Sequence, residues 1–329
     1  MVRAGKVAKA RGAFKEALES YRQGLAILEQ LPESSKRDLR ELAFRQTFLL
    51  MLWMTGGPSS HDTMEAVQRA IGLAEKTGKL APLVLLMVTG GWGSLLASRD
   101  IAAVQMLADR VLELALREGS PGSLLMAHSL RMQTCLFRGD LTGTENHFAA
   151  TTELVDNPSV KQDYGLFGLF IVTGFYTAAV SAWLLGRLGL ARERFAKMTA
   201  TTEANSPYQL AGSRVWAADF LWAMREYEQA EARARQGLEL SEKHQFALLA
   251  AMSKRILGSS RVGLGYATEG VELIREGIAG ALEIGCAQRG FLTKPSWRRR
   301  RRAKGSLTMH WKRSSRRLRT ILTKPSSDP

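Results

Sequence analysis

Phe14-Lys-Glu-Ala17-Leu18-Glu-Ser-Tyr21-Arg-Gln-Gly24-Leu25 sets Phe14, Ala17, Leu18, Tyr21 and Leu25 on one helical face, with charged and polar residues on the other. The same pattern recurs along the chain. Its unit is a turn, often at Gly, then a small residue five positions on, a packing residue four further and a small or aliphatic residue three beyond that. Gly12/Ala17/Tyr21/Gly24, Gly186/Ala191/Phe195/Met198, Gly265/Gly270/Ile274/Gly277 and Gly139/Thr144/Phe148/Thr151 fit it. Looser copies are Ala66/Ala70/Leu73, Val104/Ala108/Val111 and Ala230/Ala234/Gly237. The small positions 17, 66, 104, 144, 191, 230 and 270 are separated by 38 to 49 residues. Strand signals are scarce, and Ala, Leu, Glu, Arg and Gln dominate.

Small residues at those positions have a physical purpose. Two antiparallel helices joined by a short turn approach closely only where one presents Ala, Gly, Ser or Thr. Each hairpin is apolar on two sides and cannot bury both alone, so hairpins stack. The expected architecture is all-α: an α–α superhelix, a solenoid of about seven helical hairpins over residues 1–287, followed by a disordered basic tail over 288–329.

The pattern resembles the tetratricopeptide repeat, although its units are longer than the usual 34 residues or so. Leu31-Pro-Glu-Ser34 with Arg37-Asp38-Leu39-Arg40-Glu41-Leu42 is similar to the opening of the C-terminal repeat region of large bacterial proteins. Those proteins join a class III adenylate/guanylate cyclase domain to an ATPase module and a helical array. Ala127-His128, Leu136-Phe137-Arg138-Gly139-Asp140, Asn146-His147-Phe148, Ala182-Trp183-Leu184-Leu185-Gly186 and Gly270-Val-Glu-Leu-Ile-Arg275-Glu276-Gly277-Ile278 continue the likeness over residues 1–286. Val104, Thr144 and Gly270 depart from the Ala usual at their positions. The resemblance implies a regulatory or scaffolding array without the cyclase and ATPase domains. The start at Met1, close to Gly5, is read as a severed first repeat.

Charge separates the array from the C-terminal tail. The chain carries 46 Lys and Arg against 31 Asp and Glu, a formal net charge of +15. Fourteen of those bases and a single acid, Asp328, fall in residues 289–329, which therefore hold +13. A nucleic-acid partner is accordingly expected only through this tail, at Arg298-Arg-Arg-Arg-Arg302, Lys312-Arg313 and Arg316-Arg317-Leu-Arg319, with Trp297 and Trp311 available for stacking. The tail also reads as a repeat in a shifted frame. Across Met309-His310-Trp311-Lys312 the shifted codons force Ala-Leu-Glu, and that Ala falls 40 residues after Gly270.

Two stretches without charge, 80–98 and 164–186, are read as buried helices rather than membrane spans, because Gly, Thr and Ser dilute the second and no Lys/Arg clusters flank it. The N-terminus has no apolar signal core, and a cytoplasmic location is expected.

Chemistry-bearing patterns are sparse. Gly72-Leu-Ala-Glu-Lys-Thr-Gly78-Lys79-Leu80 has one residue too many for a phosphate loop and Leu80 where a hydroxyl must meet magnesium, so Gly78 reads as a helix C-cap. His61, His128, His147, His244 and His310 show no metal-ligand spacing. His61-Asp62 suggests a helix N-cap, His128 and His147 hydrogen-bonded packing, and His244 a helix C-terminus. Cys135 and Cys286 lie far apart, and Cys135 reads as core. Gly91-Trp-Gly93-Ser94 reads as a helix opening without a preceding strand, so no hydrolase elbow is supported. No catalytic, cofactor-binding or metal residue is nominated, and no small-molecule substrate is evident. Tyr164, Tyr176, Trp183, Trp216 and Trp222 are candidates either for core or for a groove that grips a protein or peptide partner.

Overall fold

The structure, a computed structural model, describes residues 14–97, 101–200 and 206–286. These form fourteen α-helices and, among the described residues, no strand. In chain order they are α1 (Phe14–Glu29), α2 (Ser35–Gly56), α3 (His61–Thr77), α4 (Leu80–Ala97), α5 (Ile101–Glu118), α6 (Pro121–Arg138) and α7 (Leu141–Val155). After them come α8 (Pro158–Gln162), α9 (Tyr164–Leu184), α10 (Leu188–Ala200), α11 (Pro207–Ala223), α12 (Tyr227–His244), α13 (Ala247–Gly263) and α14 (Ala267–Glu283). The basic segment 288–329, with its frameshift and nucleic-acid readings, lies outside the described residues.

Seven helices open a repeat: α1, α3, α5, α7, α10, α12 and α14. Each buries one narrow stripe. On α12 the buried residues are Ala230, Ala234, Gly237 and Ser241, and on α5 Val104, Ala108, Val111, Leu114 and Ala115. The departures at Val104, Thr144 and Gly270 keep the same role, since all three are buried. The helices that follow, α2, α4, α6, α9, α11 and α13, carry the core. Helix α11 buries twelve residues from Tyr208 to Leu221 on nearly every side, and α6 another twelve. Consecutive helices pack in antiparallel pairs, α1 with α2 through to α13 with α14. The two long repeat intervals have local causes: α2 runs 22 residues, and α8 is inserted between α7 and α9.

Helix ends follow from local chemistry. Ser34, Ser60, Ser120 and Ser206 accept from backbone N–H groups three residues on, and Asp140 does so at 2.8 Å from Gly143. The cap of α3 is therefore Ser60, and His61 is the first helical residue with an exposed ring. Gly78 and Gly139 close α3 and α6 in the left-handed conformation, φ +64° and +78°. Gly91-Trp-Gly93-Ser94 lies in the second half of α4 rather than at a helix start.

Both uncharged stretches are single helices, α4 and α9. Phe167–Leu184 is long and apolar enough to cross a bilayer, and 72% of it is buried. It packs against α6, α7, α10 and α11.

The superhelix brings its two described ends together. Helix α2 packs against α13. Ser59 Oγ donates to the Ile284 carbonyl at 3.2 Å. A Cβ at Gly285 would stand 2.5 Å from the Ser59 carbonyl oxygen.

Candidate functional site

With its ends joined, the superhelix forms a partly open cavity of about 110 Å³ lined from all six core-carrying helices: α2, α4, α6, α9, α11 and α13. The wall is mostly apolar, with Trp53, Trp92, Leu136, Tyr208, Trp216 and Leu249 prominent. Aromatic contacts run along it. The Trp53 and Trp92 rings are 6.1 Å apart, those of Trp92 and Phe170 6.4 Å, and those of Tyr176 and Trp216 6.4 Å. Of the aromatics in question in the sequence, Tyr176 and Trp216 line the cavity. Trp183 and Trp222 are partly buried against core clusters. The side chain of Tyr164 lies outside the described ones.

Gln133, Thr173 and Thr177 are polar residues of this wall, and its charged residues form one cluster. Asp219, on α11, is buried and accepts from the Tyr176 hydroxyl on α9 and from Arg255 Nη2 on α13 at 3.3 Å. Burial, reinforced by the Asp219 charge, holds the Tyr176 phenol well above its ordinary value, so it stays protonated and donates. Burial also pushes Tyr208 up, although the Trp53 indole bonds its hydroxyl. The carboxylate and guanidinium cancel, so the cavity wall is electrically neutral overall. The pair sits in a wall that is otherwise mostly apolar. That is the usual composition of a binding site: apolar walls with a few placed polar groups.

A second juxtaposition sits between α6 and α7. His128 Nδ1 and His147 Nδ1 are 2.9 Å apart, the hydrogen-bonded packing role expected of both. Burial lowers the pKa of each, with further lowering by Arg131 for His128; burial, His128 and Arg131 take His147 down to about 4. Among the described residues no group of three or more His, Cys, Asp and Glu converges as a metal site. Cys135 and Cys286 are both buried, and burial raises the Cys135 thiol. His244 ends α12 as expected.

Sequence reasoning did not find the Tyr176–Asp219–Arg255 cluster. Its one signal is Asp219 alone in the otherwise uncharged run Val215-Trp-Ala-Ala-Asp219-Phe-Leu-Trp222. A lone acid in such a run demands a buried partner.

No protein-family model matches the chain, and no curated protein does either. Solved structures do match, among them the apo form of RapI, with a TM-score of 0.57 over 85% of this chain and 96% of RapI. The two chains share a helical-repeat fold. At 11% identity the likeness to RapI extends to the fold alone.

Proposed function

We propose that this chain is a non-catalytic interaction module that takes a segment of a protein partner against the inner wall of its superhelix. The supporting observation is the cavity itself. Six helices from successive repeats contribute to one largely apolar chamber with a single charged cluster, whereas the outer helices present scattered charges. The finer reading is a cytoplasmic regulatory array from a cyclase–ATPase-type signalling protein, with residues 288–329 as a separate unit; the motif resemblance over residues 1–286 supports it. The test is an array of immobilised peptides probed with the full chain at low and at 0.5 M salt. Retention of defined peptides at high salt is the expected result. Binding confined to low salt, matched by nucleic acid, would shift the assignment to the Arg-rich segment. Purified chain is expected to turn over no ATP, and turnover that survives repurification would end the non-catalytic reading.

A further inference from the structure

Gln133 of α6 lines the cavity and is 8% exposed. Among the described residues its carboxamide has no hydrogen-bond partner. Its oxygen and nitrogen are not sealed within the packing, as the Trp92 indole nitrogen is; both keep accessible surface. On a side chain this buried and so placed, that surface faces the cavity. Thr173, Thr177 and Asp219, also on the wall, are engaged. Thr173 Oγ1 donates to the Leu169 carbonyl at 2.8 Å and Thr177 Oγ1 to the Thr173 carbonyl at 2.7 Å. Asp219 Oδ2 accepts from Tyr176 and Oδ1 from Arg255. A donor or acceptor left unpaired in a buried place costs about 1–3 kcal/mol, and Gln133 carries both on one planar group.

Geometry, charge and size narrow the ligand. The full complement of a carboxamide is a second group with donor and acceptor side by side, so that two N–H···O bonds form in one plane. A carboxylate supplies no donor. It would also enter as an uncompensated buried charge, because Asp219 and Arg255 already cancel. A dry cavity of roughly 150 Å³ takes a benzene ring, and by the same ratio the 110 Å³ here takes roughly four heavy atoms. An acetamide unit has that size, and the cavity is partly open, so a stem can leave through the opening. We propose that the cavity binds a primary carboxamide on a short aliphatic stem, paired with the carboxamide of Gln133. The side chain of an Asn residue has this chemistry, and so does a free small amide. The inference goes beyond the interaction-module reading, because it holds for either source.

The experiment is saturation-transfer NMR on the full chain with three probes of one shape, acetamide, acetone and acetate, each titrated at millimolar concentration and read at its methyl resonance. Acetamide offers a donor and an acceptor, acetone an acceptor alone, and acetate an acceptor with charge. Acetamide should bind. Acetone should bind about fivefold more weakly, the loss of one hydrogen bond, and acetate about tenfold or more. Gln133→Met keeps the length of the side chain and removes its polar group. It should bring acetamide down to the level of acetone and leave the thermal midpoint unchanged or higher, because an unpaired buried amide is lost. The order of the three probes on the parent chain carries the test should the variant fail to fold. The blocked peptide acetyl-Ala-Asn-Ala-N-methylamide distinguishes the sources, with its Leu counterpart as the control of equal shape. Displacement of acetamide by the Asn peptide alone would place the carboxamide on a partner chain. Acetamide binding without displacement would uphold the site and make the ligand a free small amide. No transfer to acetamide, acetone or acetate bound as tightly as acetamide, or acetamide affinity unchanged in Gln133→Met would overturn the inference. Peptides retained on the array while acetamide fails to bind would overturn it and leave the interaction-module reading standing.

Discussion

His128 and His147 can share one proton across their 2.9 Å contact, but two imidazolium rings there would set donor against donor. The groups around them are Arg131 on α6, paired with Asp109 of α5 at 2.9 Å, and Asp140 in the α6–α7 turn. Arg131 opposes protonation of His147, and Asp109 and Asp140, each with a smaller effect, favour it. The folded pKa of about 4 lies below the ordinary 6.5, so the unfolded chain binds more protons between those values. Stability is therefore full above about pH 6.5 and falls as pH drops toward 4. Between pH 7 and pH 5 the loss from His147 should be about 1–2 kcal/mol. His147→Gln should remove most of that loss, read as the change in urea midpoint between the two pH values. A variant whose midpoint falls as steeply as the parent's would show that the pair does not govern acid sensitivity. The thiols make a second prediction. Both cysteines are buried, so Ellman's reagent should label neither in the native chain and both in denaturant; rapid native labelling would contradict the packing around Cys135.

At the scale of elements, α13 and α14 form a close junction where backbone meets backbone. A Cβ at Gly277 would lie 2.6 Å from the Ala251 carbonyl oxygen and 2.7 Å from the Arg255 nitrogen. Gly277→Ala should therefore force the helices apart and cost about 1–3 kcal/mol. Gly72 sits mid-helix in α3 with nothing within 4 Å of its Cβ position. Gly72→Ala should add about 0.5–1 kcal/mol through helix propensity. Thermal unfolding of the two variants checks the contrast, and equal shifts would refute the close approach. Gly277 also shows what the sequence discloses at this scale. The repeat spacing marks it as a small position, and 17, 66, 104, 144, 191, 230 and 270 all fall on repeat-opening helices, because i, i+4 and i+7 periodicity is a local property. The division of the core-carrying helices into cavity wall and interior was not legible. Tyr176 and Trp222 look alike in sequence, and only the curvature accumulated over six repeats decides which faces the chamber. The partners of Asp219 lie 43 and 36 residues away in different repeats, beyond any local pattern.

For the whole molecule, the chamber is closed by a narrow seam between its ends. Gly57 and Gly285 both take positive φ, +87° and +76°, which lets the α2–α3 turn and the end of α14 meet. Ile284 Cδ1 stands 3.0 Å from the Cβ position of Gly57, and Ser59 bonds the Ile284 carbonyl. Each repeat otherwise contacts mainly its neighbours, so these contacts and the packing of α2 against α13 are what join the first repeat to the last, and small changes here act on curvature rather than on any one hairpin. Gly285→Ala puts a methyl group 2.5 Å from the Ser59 carbonyl oxygen and strains the turn. Gly186→Ala is the control. It has a similar φ of +81° with nothing within 4 Å, so it carries the turn strain of about 1 kcal/mol alone. Small-angle scattering should show a larger radius of gyration for the Gly285 variant and an unchanged one for the control. The parted seam should also expose the lumen, moving Trp53, Trp92 and Trp216 emission to the red and raising quenching by acrylamide. Identical scattering and quenching in the two variants would mean that the repeats set the curvature unaided, so that the chamber exists without the seam. The expected expansion would instead make the seam the element through which a partner too large for a 110 Å³ cavity gains the inner wall, because only there can the superhelix open without separating a hairpin from its neighbour.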